Sequence, residues 1–210
     1  NYENYFKELS YLNIIFVISA FETTNDEVLT ILEKNHSSVD LANAIEISQT
    51  NNIDIRPTWM PFSPWTNQND LIDIIKLIEN YKLRETVDPI QLTIKLLIPK
   101  NSLILQRSEI NEYLNDYDKN SLSYMWDYKD EEVNKLQVSL FNYLLDTPDL
   151  DEHSQYLGMV KIIENMTQSN LISDLNYSYK NVPKLSETWF CCAEPSQIQL
   201  DRIKTNTALI

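Results

Sequence analysis

The sequence predicts an α/β fold, parallel strands joined by crossover helices, followed by a mostly helical extension. Three observations predict it. The run Ile14-Ile15-Phe16-Val17-Ile18 is continuously apolar and largely β-branched, the composition of a strand covered on both faces. Two more strand-like runs follow, separated by helix-patterned segments, which is the spacing of crossover-connected parallel strands. Beyond about residue 105 the apolar positions recur at helical intervals instead.

Taken in order, residues 1–12 predict the end of a helix, with Tyr5, Phe6, Leu9 and Leu12 near helical spacing. The first strand ends in Ser19-Ala20-Phe21-Glu22-Thr23-Thr24. Thr24 or Asn25 can cap the next helix, with Asp26 and Glu27 well placed in its first turn and Val28, Leu29, Ile31 and Leu32 facing inward. Ser38 can cap a second helix carrying Leu41, Ala44, Ile45 and Ile47, broken by Asn51-Asn52. A strand from Ile53 to Met60 leads into the proline-rich loop Pro61-Phe62-Ser63-Pro64-Trp65-Thr66, then into a helix facing inward through Leu71, Ile74, Ile75 and Ile78. A last strand is expected from Val87 to Pro99, with Gln91 and Thr93 on one of its faces. Helices are expected at 108–118, 130–146 and 154–170, then a polar stretch at 171–186 and the tail Trp189-Phe190-Cys191-Cys192-Ala193-Glu194-Pro195. Three parallel strands neither close a barrel nor form a comfortable open sheet. The expectation is therefore a partial barrel at 1–105 whose earlier strands precede Asn1, and a helical extension at 106–210.

Composition narrows the function. Lys and Arg number 17 against 31 Asp and Glu, a net charge of −14 that repels phosphate backbones and anionic membranes, so neither nucleic acid nor a membrane is expected as a partner. No run reaches the ~18–20 apolar residues that span a bilayer, and there is no basic-then-apolar leader. The two cysteines are adjacent, which is no disulfide framework. A cytoplasmic location is the expectation. Gly158 is the single glycine, which excludes a phosphate-cradling P-loop and a dinucleotide-binding glycine turn. Any small-molecule site must be built from strand ends and side chains. The acidic run before His153 reads as a capped, solvated turn, not a metal site.

Two segments resemble the radical S-adenosylmethionine (radical SAM) superfamily. Val17-Ile18-Ser19-Ala20-Phe21-Glu22 with the following Val28-Leu29, Leu32, Lys34 and His36 resembles the fourth strand and helix of its barrels. Ile53-Asp54-Ile55-Arg56-Pro57-Thr58-Trp59 resembles the fifth strand. The tail Trp189-Phe190-Cys191-Cys192-Ala193-Glu194-Pro195 resembles that of the bacterial CCAEP/CUAEP-tail radical SAM proteins, some of which carry selenocysteine at the second cysteine position. The same family resemblance takes in Asp88-Pro89-Ile90-Gln91-Leu92, Leu97-Ile98-Pro99 and Leu122-Ser123-Tyr124-Met125-Trp126.

The resemblance implies a partial (β/α) radical SAM barrel with a cysteine-tailed helical extension. The implied activity is reductive cleavage of S-adenosylmethionine at a 4Fe–4S cluster and hydrogen abstraction from a small-molecule or peptide substrate, with an external electron donor. The three-cysteine cluster motif is absent from these residues and is expected upstream, so this portion alone is expected to be inactive. Glu22 is implied to meet the amino or ribose group of the cofactor, or else is a helix-start carboxylate. Arg56 suits the cofactor's carboxylate, or else pairs with Glu22 or another acid. Thr58 shares Arg56's strand face, and Gln91 is the candidate on the last strand. Trp59, Phe62 and Trp65 are a substrate wall or ordinary core. Cys191 and Cys192 are implied to be nucleophilic or redox-active, or else are small residues packed beside Trp189 and Phe190. The other functional class is a non-catalytic thiol- or metal-binding scaffold.

Overall fold

The computed structural model describes residues 2–172 and 182–183. Helix α1 (Tyr2–Tyr11) precedes strand β1 (Phe16–Glu22), helices α2 (Asp26–Ile31) and α3 (Ser38–Thr50), strand β2 (Asp54–Trp59) and helix α4 (Gln68–Asn80). Strands β1 and β2 pair in parallel, with Ile18 beside Arg56 and Ala20 beside Thr58, until a bulge brings Glu22 opposite Trp59. Alternation then gives the pair two unlike faces. Phe21, Ile55 and Trp59 face the core with Leu41 and Ile45 of α3 and Leu71, Ile74, Ile75 and Ile78 of α4. On the other face Ile18 and Ala20 are exposed and Arg56 and Thr58 half-buried.

The third strand does not form. Residues Pro89–Thr93 are a 3₁₀ turn, and after it Lys95 pairs with Phe62 in an isolated parallel bridge. The cause lies in Asp88-Pro89: the Asp88 carboxylate accepts from Ile90 N at 3.3 Å, and proline at the first helical position has its φ already set. These two residues override the apolar run that follows.

The extension is less helical than its periodicity predicts. The helix expected at 108–118 is instead a 3₁₀ turn (Ser108–Ile110) and strand β3 (Leu114–Asp118), antiparallel to β4 (Ser123–Trp126). Asn115, Asp116, Asp118 and Asn120 are poor helix formers. The Asp118 carboxylate closes the hairpin turn by accepting from Asn120 N and Ser121 N, and Tyr117 stacks edge-on against Tyr124 at 5.1 Å. The helices expected at 130–146 and 154–170 are present as α5 (Glu131–Asp146) and α6 (Glu152–Thr167). Both feed Leu136, Leu140, Val160 and Ile163 into the core shared with α3 and α4. Among the described residues no helix is long and apolar enough to cross a membrane.

With one glycine in the chain, helices must end on other residues. Helices α2, α3 and α4 each stop in a Schellman turn whose left-handed residue is Glu33 (φ 54°), Asn52 (φ 56°) or Lys82 (φ 56°). The paired 6→1 bonds are Lys34 N to Leu29 O, Ile53 N to Ser48 O and Leu83 N to Ile78 O, at 2.9–3.0 Å.

Gly158 is needed for clearance, not for conformation. A Cβ there would lie 2.0 Å from the Tyr143 hydroxyl of α5. Gly158→Ala should therefore lower stability by about 1–3 kcal/mol through overpacking. In a Tyr143→Ala background the same change should raise stability by about 1 kcal/mol through helix propensity. Urea midpoints of the four proteins check both signs.

Candidate functional site

The C-terminal ends of β1 and β2 bring together Glu22 and Gln91, two of the four cofactor-binding candidates. Glu22 closes β1 in the left-handed region (φ 64°), and its side chain is buried. Lys34 Nζ donates to Glu22 Oε1 at 2.6 Å, and the Schellman turn after α2 places Lys34 there. The Glu22 carbonyl accepts from Met60 N at 2.8 Å, which ties the two strand ends together.

Gln91 reaches the same place from another direction. Buried in its 3₁₀ turn, it accepts from Trp59 N at 2.9 Å through Oε1 and so takes the bond a third strand would have made. Glu22 and Gln91 thus meet around the backbone of Trp59, one by strand pairing and one by side chain. Gln91 does not share a strand face with Thr93, as the expected last strand required.

Arg56 and Thr58 lie elsewhere, on the open face of the pair. The Arg56 guanidinium sits 5.7 Å from the Phe16 ring centroid, and its Nη1 donates to Pro183 O at 3.0 Å. The pairing with Glu22 that the sequence allowed is replaced by Lys34. Trp59 and Phe62 are core residues, at 2% and 0% exposure, while Trp65 is half-buried and donates through Nε1 to Glu109 O at 3.3 Å. Cys191 and Cys192 lie outside the described residues. Among the described residues no group of three or more His, Cys, Asp or Glu is placed to hold a metal ion.

Sequence reading missed two members of this region. Lys34 stands in the quoted resemblance, but its link to Glu22 depends on the turn after α2. Asp70 is the other. As the third residue of α4 it accepts from Asn67 N at 2.8 Å through Oδ2, and through Oδ1 from Asn25 Nδ2 at 3.0 Å. Asn25 in turn caps α2 by accepting from Glu27 N and Val28 N. One carboxylate thereby fastens the loop after β1 to the loop after β2. The Asn67-x-x-Asp70 spacing of a capping box was the signal for it.

Burial pushes the Asp70 carboxyl up, against the lowering effect of its bonds from Asn67 and Asn25. A carboxyl raised in the folded state contributes stability below its unfolded value, about pH 4, and loses it as pH rises through the folded value. Wild-type stability relative to Asp70→Asn should thus fall from about pH 3 to pH 7. Paired urea melts across that range would show it, and a flat difference would contradict it.

Comparison with known protein families, with characterised proteins and with solved structures yields no match to this chain.

Proposed function

We propose that this chain is the C-terminal part of a radical SAM enzyme of the CCAEP/CUAEP-tail kind, cytoplasmic and acting on a small molecule or peptide. The observation that carries the reading is the two-faced parallel pair. Helices α3 and α4 cover one face, while the other presents Arg56 and Thr58 beside exposed Ile18 and Ala20. A wall of an α/β barrel has this construction, with helices outside, ligand-facing side chains inside and the site at the strands' C-terminal ends.

The residues suit the cofactor's polar groups in chemical type. Arg56 already holds a carbonyl oxygen through Nη1. A carboxylate offers the same acceptor chemistry twice, and the guanidinium fork can take it bidentately. Thr58, two residues on along the same face, offers a hydroxyl to that ligand. At the strand end Glu22 would accept from an ammonium or hydroxyl while sharing its carboxylate with Lys34. Gln91 would act as a positioning residue, holding the Trp59 backbone in register. A 4Fe–4S cluster would supply the electron for reductive cleavage. Its cysteine motif is not among the 210 residues, whose only cysteines are Cys191 and Cys192, and no step is assigned to it.

The tail cysteines enter after radical generation in this reading, where a thiolate can bind an intermediate or return a hydrogen atom. The test uses the complete, cluster-reconstituted protein with S-adenosylmethionine cleavage and product formation measured separately. The wild type should cleave the cofactor. Cys192→Ser should retain cleavage and lose product. A complete protein that binds no cluster and cleaves nothing would overturn the proposal, and full product formation by Cys192→Ser would reduce the tail to a structural feature.

A further inference from the structure

The face of β1 and β2 turned away from α3 and α4 carries apolar side chains in the open. Ile18 is 39% exposed with exposed Ala20 beyond it, and Ile14 and Ile15 are 37% and 63% exposed just before the strand. Contiguous apolar surface of this kind marks a place where something docks.

Two residues from far along the chain already reach it. Val182 lies beside Asp54 and Ile55, at the start of β2, in lining a shared hollow. Pro183 gives its carbonyl oxygen to Arg56 Nη1 at 3.0 Å, and the guanidinium that holds it leans over the Phe16 ring at 5.7 Å. Phe16 pairs with Asp54 and Ile18 with Arg56. The chain therefore arrives on the open face at the start of both strands, next to the exposed isoleucines.

The segment that follows has the composition to stay there. Lys184-Leu185-Ser186-Glu187-Thr188-Trp189-Phe190 contains three large apolar residues and lies outside the described residues. Leu185 and Trp189 are four apart, which puts them on one side whether the segment is extended or helical. Phe16 and Ala20 have the same separation along β1, with Ile18 between them on the same face. From Pro183 to Trp189 the chain reaches at most about 20 Å, roughly the length of the β1 strand, so Trp189 falls within reach of that face.

We propose that residues 184–190 dock on the open face of their own chain, Leu185 and Trp189 against Ile18 and its apolar neighbours and Pro183 held by Arg56, and so restrict access to that face. The docking does not rest on the radical SAM reading. If both hold, a ligand carboxylate reaches Arg56 only by displacing the Pro183 carbonyl, and the tail competes with the cofactor.

Trypsin cleavage of the full chain after Lys184 tests the docking without any cofactor, with mass spectrometry identifying the bond cut. The bond should be cut far more slowly than in a free peptide of residues 178–190, because the rate follows the undocked population when reclosing is fast. Arg56→Ala removes a hydrogen bond from a charged donor and should speed cleavage roughly tenfold. Ile18→Ser, at an exposed position, and Trp189→Ser should each speed it severalfold, while Val138→Ser, exposed on α5, should leave it unchanged. If Arg56→Ala loosens the whole fold, cleavage after Lys161 in α6 rises as well, and Ile18→Ser then decides the matter. Cleavage as fast as in the peptide, an unchanged rate in Ile18→Ser, or protection lost on dilution, which would assign the face to a second copy, would each overturn the proposal.

Discussion

Glu79→Ala should lower the stability of the chain by about 3–5 kcal/mol, the cost of breaking a buried ion pair from one side. The Glu79 and Arg84 side chains are 6% and 3% exposed. Arg84 grips Glu79 with two nitrogens, through Nε to Oε1 at 2.8 Å and through Nη2 to Oε2. Tyr156 of α6 donates its hydroxyl to the same Oε1 at 2.8 Å. Removing the carboxylate takes the bidentate partner from a buried guanidinium and the acceptor from a buried phenol. Tyr156→Phe keeps the ion pair and should cost only about 1 kcal/mol. The contrast separates the two contributions, and urea unfolding of both variants measures it. Glu79→Ala within about 1 kcal/mol of wild type would mean that this network does not hold α6 to α4.

Much of this architecture was legible where one periodic signal stood alone. The apolar stripe Leu71-Ile74-Ile75-Ile78 and the patterns of α5 and α6 each have one physical solution, and each forms, whereas the run at 14–18 enters β1 only from Phe16 and leaves Ile14, Ile15 and Ile18 exposed where a strand covered on both faces was expected. Misreading came where signals competed. Asp88-Pro89 starts a 3₁₀ turn inside an otherwise strand-like stretch, and a tyrosine-rich, Asn- and Asp-laden segment folds as a hairpin where apolar spacing suggested a helix.

The site divides along the same line. The strand-end position of Glu22 and the shared face of Arg56 and Thr58 follow from alternation along β1 and β2. The Lys34 partner of Glu22 and the Gln91 bond to Trp59 do not, because both depend on turns that bring distant residues together.

On the proposed function, the open face of β1 and β2 receives S-adenosylmethionine with Arg56 as its carboxylate partner. Equilibrium binding of S-adenosylmethionine to the complete, cluster-loaded protein tests it directly, comparing wild type with Arg56→Ala and Arg56→Lys. A lost charge-assisted pair of hydrogen bonds is worth about 1.5–3 kcal/mol, so Arg56→Ala should weaken binding roughly ten- to a hundredfold. Arg56→Lys, which keeps the charge and loses the fork, should fall between. Equal affinity in all three proteins would contradict the account.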